Sequence, residues 1–375
     1  MEGTYMGFCI NEEQKVNITL SEKANTIILD DWEIFSTFTL TGFLNTIIEN
    51  FCEDAKASYT EYCNIQTKKF KDLLENSNLS QKSKNTVLKI IHDSIQKEVK
   101  QQLNEYIYLK PSSKARLLRL NKVNCRYLEL YDDIEHELDI YTPNSKEYVY
   151  NDDCSGTSGY LGISRYLKCI FEEYASLPFI QRVRIIRKKE YEIVTSACNN
   201  NELKIQQKIN DKTVSFTVSP YKIIPDKLGL QEYLTCLSQS SSDDEKRPSS
   251  FSMLRLEAKN IKVISKKKKK LFFEKEIQMF EKEISERTPT FLLGESERVH
   301  VKLTEKGKEF YRRRLNYRPQ KINSESTEDE YVFSCTEQQA YVYFLSFGKD
   351  AEIIAPEKLR KRMKEFYESA SNKYN

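Results

Sequence analysis

The sequence predicts an α+β protein with a small antiparallel β-barrel at its middle, a mostly helical region before it and an α/β unit after it. Three observations carry this. Val214, Phe216 and Val218 alternate with Ser215, Thr217 and Ser219, the period of two of a half-buried strand. Three more β-rich runs follow closely, Leu230 to Thr235, Phe251 to Leu256 and Ile261 to Ile264, with no long helical pattern between them, as in a barrel. On either side of this stretch, apolar residues recur instead at three-and-four spacing.

At 375 residues the chain has room for two to three domains of roughly 100–200 residues each, and 39% hydrophobic residues suffice for real cores. The expected division is 1–178, 179–270 and 271–375. The 59 Lys and Arg nearly balance the 56 Asp and Glu, for a formal charge of +3, so any polyanion surface has to be local. Nine cysteines, from Cys9 to Cys335, show no Cys-x-x-Cys and no neighbouring His pair, which reads as reduced thiols in a cytoplasmic protein. No secretory leader or membrane-spanning run is expected.

Taken in order, Lys15 to Leu20 alternates polar and apolar, giving a strand with Val16, Ile18 and Leu20 on one face. Ser21 is placed to cap a helix carrying Ala24, Ile27, Ile28 and Trp32. After a break at Ser36-Thr37, a second helix starts near Thr39 or Thr41 and carries Phe43, Leu44, Ile47, Ile48 and Phe51. One strand followed by two helices resembles the ribbon-helix-helix DNA-binding motif. A lone strand needs a partner for its backbone groups, and Arg116 to Asn121 repeats the pattern. Tyr166 to Tyr174 likewise matches Phe43 to Phe51 position for position. The expectation is two diverged copies, about 14–57 and 114–177, pairing strand to strand within one chain. A longer loop, about Tyr141 to Ser158, interrupts the second copy, and a helical spacer capped at Ser80 separates the two.

Gln181 to Lys188 reads as a strand opening the barrel, with basic residues between apolar ones. Lys266 to Lys270 leads into an amphipathic helix bearing Phe273, Ile277, Phe280 and Ile284. Beyond Pro289 the expected elements are a strand at Val299 to Leu303 and a helix from Thr304. Strands at Tyr331 to Ser334, Ala340 to Phe347 and Glu352 to Ile354 follow, then a helix opened by Pro356.

Ser219-Pro220-Tyr221, Glu232-Tyr233-Leu234 and Arg255-Leu256 fall in the order of the WYL-domain signature, with Glu232 in the place of its Trp. The segment Leu345 to Arg360 resembles the C-terminal extension that accompanies that domain, which commonly mediates assembly. With the ribbon-helix-helix-like start, the order and length of the chain resemble the WYL-domain accessory proteins of type VI-D CRISPR systems. The resemblance implies an Sm-like or SH3-like barrel with Tyr233 and Arg255 lining a site, and a C-terminal α/β dimerisation domain. It also implies a homodimer that binds single-stranded RNA and enhances an RNA-guided ribonuclease effector.

The residues themselves leave alternatives open. An aromatic face stacks a base and a guanidinium forks onto phosphate, yet Tyr233 is equally a core residue, with Arg255 paired to Glu232 or Glu257. Tyr221, Lys222, Lys259, Arg184, Arg187 and Lys188 are candidates to surround that pair, or ordinary surface. Lys15, Asn17 and Thr19 form either a groove-reading row or a solvated strand face. The matching row of the second copy, Ala115, Leu117 and Arg119, puts a leucine outward and argues against a duplex-DNA operator reader. A ligand-responsive transcriptional regulator with its first region on DNA is the alternative function. Lys266 to Lys270 is either a phosphate contact or a solubilised linker, and Glu172-Glu173 reads as the polar face of a helix. No cofactor, metal site or catalysis is expected: there is no Gly-rich phosphate loop, and His92, His136 and His300 sit in separate units.

Overall fold

The computed structural model describes residues 15–35, 39–112, 116–120, 158–198, 201–209, 212–226, 229–240, 245–264, 274–292 and 296–374. It is a mixed helix and sheet protein in two compact units, residues 1–186 and 187–375. Ser36-Thr37, Ala115, the Tyr141 to Ser158 loop and Lys266 to Lys270 include or lie among residues outside this description.

In the first unit, β1 (Lys15–Ile18) pairs antiparallel with β2 (Arg116–Arg119), in the register Lys15 to Arg119, Val16 to Leu118, Asn17 to Leu117 and Ile18 to Arg116. This is the internal pairing the repeat requires. Val16, Ile18, Leu20, Leu118 and Leu120 face inward, each 3% exposed or less. α1 (Glu22–Phe35) starts at Ser21, whose hydroxyl accepts the Ala24 N–H. α2 (Leu40–Phe51) starts at Thr39, which does the same for Gly42. α3 (Tyr59–Glu75) and α4 (Gln81–Tyr108) are the spacer, with Ser80 accepting the Ser83 N–H.

α5 (Ser158–Ser176) packs beside α2. Its residues Tyr166, Leu167, Ile170, Phe171 and Tyr174 are buried, as are their α2 counterparts Phe43, Leu44, Ile47, Ile48 and Phe51. Each such side chain contributes about 1.5–3 kcal/mol on burial, so the matched positions of the two helices are apolar faces buried alike. The Gln181 to Lys188 strand is not formed. That stretch belongs to two helices, α6 (Phe179–Ile186), which ends the first unit, and α7 (Lys188–Ala197), which opens the second. Val183 and Ile186, one helical turn apart, are the buried pair.

Glu172 and Glu173 are not a solvated face; each is 4% exposed. Glu172 accepts the Ser21 N–H at 2.6 Å and the Ser21 hydroxyl at 2.7 Å, placing a carboxylate at the start of α1. Glu173 accepts the Lys56 N–H at 2.8 Å, and burial pushes its carboxyl up to about 7 against the pull of Lys56.

In the second unit a five-stranded antiparallel sheet runs β6-β5-β4-β3-β7. Its strands are β3 (Leu203–Ile209), β4 (Lys212–Pro225), β5 (Glu232–Ser240), β6 (Arg247–Ser252) and β7 (Ile261–Val263). The edges β6 and β7 do not pair among the described residues, so the sheet is not a closed barrel. β3 escaped the sequence reading although Leu203 and Ile205 alternate with Lys204 and Gln206. One face buries Ile205, Val218, Leu234, Cys236 and Phe251 against Val194 and Ala197 of α7. The other carries Tyr221 and Leu237 against Phe280, Ile277 and Ile284 of α8 (Glu274–Arg287).

A second sheet, β11-β8-β10-β9, follows, built from β8 (Glu297–Leu303), β9 (Gln320–Lys321), β10 (Glu330–Cys335) and β11 (Ala351–Ala355). α9 (Glu305–Arg313), α10 (Glu337–Phe344) and α11 (Glu357–Ser371) accompany it. Ala340 to Phe347 is therefore helical rather than a strand; Thr336 accepts the Gln339 N–H and starts α10. Pro356 occupies the cap of α11 rather than its first turn.

Candidate nucleic-acid interface

Tyr233 on β5 and Arg255, three residues past the end of β6, lie near the same end of the five-stranded sheet. Tyr233 stands on β5 between the core residue Leu234 and the buried Glu232, so alternation turns it toward the opposite face, where it is half-buried. Its hydroxyl donates to Gln231 Oε1 at 3.2 Å. Ser252, the last residue of β6, lies opposite Tyr233, and a 3-10 turn, Met253–Arg255, begins there. Arg255 is thus on a turn rather than a strand. Burial pushes the Tyr233 phenol above its usual value, opposed by Thr290 and, least of all, by the Arg255 charge.

Arg255 is exposed, and the carboxylates that sequence offered it are engaged elsewhere. Glu232 is 4% exposed and accepts the Tyr191 hydroxyl at 2.6 Å. It therefore turns its charge away from the surface around Tyr233. Glu257 pairs with Lys259 at 2.9 Å. Among the described residues Arg255 makes no ion pair.

Arg187, a candidate for the same surface, is 6% exposed and does a different job. Its Nε donates to the Leu254 carbonyl at 3.1 Å and its Nη1 lies 3.6 Å from Glu190, whose Oε1 accepts the Ala258 N–H at 2.9 Å. Burial pulls the guanidinium pKa down, opposed by Glu190 and Glu257. This buried pair fastens the turn on both sides of Arg255, which reduces the ordering cost of a contact made there. Nothing in the local sequence announced it, because Arg187 and Leu254 meet across 67 positions.

Tyr221 is the extra residue of a register shift in β4 between Pro220 and Lys222, a bulge that re-aims the strand. Tyr221 is 9% exposed and meets Phe280 edge-on at 5.2 Å. Its hydroxyl donates to Glu281 Oε1 at 2.7 Å, and Lys222 Nζ reaches the same oxygen at 3.0 Å while lying 4.9 Å from the Tyr221 ring centroid. These two hydrogen bonds hold Glu281 below the usual carboxylate range. This aromatic and cation are thus engaged by α8.

The remaining candidates are dispersed. Lys259 is exposed beside Glu257, Lys188 is half-buried on α7, and Arg184 is exposed on α6 in the first unit. On β1, Lys15 and Asn17 are exposed and Thr19 is half-buried; Leu117, opposite Asn17, is 56% exposed. Among the described residues no group of three or more His, Cys, Asp or Glu side chains is placed to hold a metal ion, and no helix is long and apolar enough to cross a membrane.

The second sheet with its helices decides the nature of the C-terminal part. Residues 295–368 match the WCX domain. The WCX domain, the extension associated with WYL domains, runs here from β8 into α11, around a core of Val299, Val301, Phe333, Tyr343, Phe344 and Leu359. Among solved structures, one described as "Crystal structure of a CRISPR Cas-related protein" shares the fold with a TM-score of 0.66 at 21% identity, over 97% of this chain and 95% of that one. Proteasome accessory factor B/C of Arthrobacter aurescens gives 0.29 at 13% identity over 70% of this chain and 37% of that one, too low to bear on the fold. No curated protein matches the chain.

Proposed function

We propose that this protein is a non-catalytic accessory protein that binds single-stranded RNA and enhances an RNA-guided CRISPR ribonuclease effector, acting in the cytoplasm as a homodimer through its WCX domain. The observation that carries the RNA part is Arg255: exposed, without an ion pair among the described residues, on a turn that Arg187 and Glu190 fasten, three residues past the cross-strand partner of a half-buried Tyr233. A guanidinium and an aromatic face at one end of a sheet suit a phosphate and an unstacked base, which a single strand offers and a duplex hides. The five-stranded sheet is read here as a WYL domain and the β1–β2 region as ribbon-helix-helix-like. The full-length likeness to a CRISPR Cas-related protein supports the effector link. Binding measured against single-stranded RNA, duplex RNA and duplex DNA across a salt series tests the reading. Preference for the single strand, weakened about tenfold in Tyr233→Ala and in Arg255→Ala while the fold persists, is the expected result.

One observation favours a second reading, a ligand-responsive regulator that binds DNA. β1 and β2 form an antiparallel ribbon with Lys15 and Asn17 outward, the kind of element that enters a major groove. Leu117 beside Asn17 counts against it. Tight binding to one defined duplex, with single-stranded RNA ignored, would select that reading.

A further inference from the structure

A groove of about 550 Å³ opens on the first unit between β1, the end of α4 and α5. That volume suits one small ligand rather than a helix or a strand pair. Asn17, Thr19, Tyr108, Lys110, Arg165 and Lys168 line it, three of them basic, and no described lining residue is acidic. In a chain whose charges nearly balance, such segregation needs a reason.

The local structure explains why these residues converge. α4 ends at Tyr108, and the chain then runs back along β1, with the Ser112 N–H donating to the Leu20 carbonyl at 2.7 Å. Lys168 of α5 donates to the Ile107 carbonyl at 3.1 Å and the Leu109 carbonyl at 2.9 Å, closing the carbonyl end of α4. An ammonium has three donors, so one remains. Burial pulls the Lys168 pKa down, opposed by Glu172 and Cys169, so an anion at the groove would restore what desolvation takes. Arg165, half-buried one turn of α5 from Cys169, and Lys110, exposed, make no ion pair among the described residues. The Tyr108 side chain is 60% exposed, an unusual degree for a ring at a cavity rim.

We infer that this groove binds one nucleotide, its phosphate held by Arg165 and Lys110 with the spare Lys168 donor, its base laid on the Tyr108 ring. A free nucleotide and one unit of a single strand share that chemistry. Continuity favours the strand: the groove opens onto the outward row of β1, where Lys15 faces Arg119 across the ladder, two further cations for the next phosphates. The choice of a polymer rests on the RNA reading above; the nucleotide site itself does not.

The test uses the full chain and the variant Lys110→Gln/Arg165→Gln. Lys168 is spared because it closes α4, and matched melting curves establish that the variant folds. With a labelled unstructured oligoribonucleotide, affinity at low salt should fall about tenfold, and the slope of log affinity on log salt should become shallower by about 0.7 for each phosphate no longer neutralised. Tyr108→Ala should cost about tenfold with the slope unchanged. With uridine monophosphate, slowed amide exchange at residues 107–110 in the native chain, absent in the double variant, would identify a free nucleotide as the ligand. If the native chain retains no oligoribonucleotide, the RNA reading fails and the mononucleotide arm alone decides the groove. The inference is overturned if the double variant keeps native affinity and slope and uridine monophosphate leaves residues 107–110 unprotected.

Discussion

Two aromatic–cation pairs lie on the five-stranded sheet, and they meet opposite fates. Tyr221 and Lys222 converge on one oxygen of Glu281; the tyrosine is covered by α8 and the lysine is tied to it at the surface. Tyr233 and Arg255 sit nearby, with the neighbouring carboxylates Glu232 and Glu257 bound to Tyr191 and Lys259. Similar side-chain chemistry is therefore structural in one place and available in the other. What separates them is whether a carboxylate distant in the chain has reached the cation, a fact of tertiary packing rather than of residue type. The first unit repeats the lesson with adjacent carboxylates: Glu172 is met by two donors from Ser21, whereas Glu173 has one backbone N–H and a lysine ammonium 4.0 Å away.

The difference between the two pairs should show most strongly in stability. Tyr221→Ala should cost about 3 kcal/mol, because it empties the contact with Phe280 as well as removing a hydrogen bond. A lower urea midpoint at unchanged m, with RNA retention kept below the melting range, is the expected pair of results. If Tyr221→Ala instead abolishes retention in a folded protein, the covered pair is not merely structural.

Glu173 should follow closely in size. Its folded value of about 7 lies above the ordinary carboxylate value of 4.5, so the folded state holds a proton that the unfolded state has released between those values. Stability is then highest below the unfolded value and falls as pH rises through the folded one, by about 3 kcal/mol if the full shift is expressed. Glu173→Gln should flatten that fall and raise the neutral-pH melting temperature. A native denaturation profile flat from pH 4 to 8 would contradict the assignment.

These contrasts also mark how far the sequence could be read. The alternation of Val16, Ile18 and Leu20, the match of Phe43 to Phe51 with Tyr166 to Tyr174, and the hydroxyl caps at Ser21, Thr39, Ser80 and Thr304 were legible because each is a local pattern. Gln181 to Lys188 and Ala340 to Phe347 misled for a related reason: over eight residues a few apolar positions fit either period. The Thr336-Glu337-Gln338-Gln339 sequence that starts α10 was the available correction. The candidate site was legible as Tyr233 with Arg255. That Arg187 would be buried as its support, and Lys222 withdrawn by Glu281, depends on contacts across 67 and 59 positions, which no local pattern reports.

For RNA binding, Arg255→Ala should reduce affinity about tenfold, at a stability cost under about 0.5 kcal/mol, since its side chain is exposed and makes no ion pair among the described residues. Lys222→Ala in the same assay should change little, because its ammonium is already paired. Equal losses for both would erase the distinction between the two pairs.

The smallest effect is the most discriminating. Glu281→Gln keeps an oxygen for the Tyr221 hydroxyl but removes the charge that holds Lys222, so the ammonium should swing into solvent. Lys222 lies opposite Thr235, two residues along β5 from Tyr233 and hence about 7 Å from it along the strand. A freed cation at that distance adds a phosphate contact to a strand already seated on Arg255. Affinity for single-stranded RNA should rise about two- to fourfold at low salt and return to the native value at high salt, where screening removes a surface charge. In an Arg255→Ala background the same substitution should yield less, because the strand is no longer held beside Lys222. A gain that is full-sized without Arg255 would mean that Lys222 acts alone, and the open pair would lose its claim to organise the site.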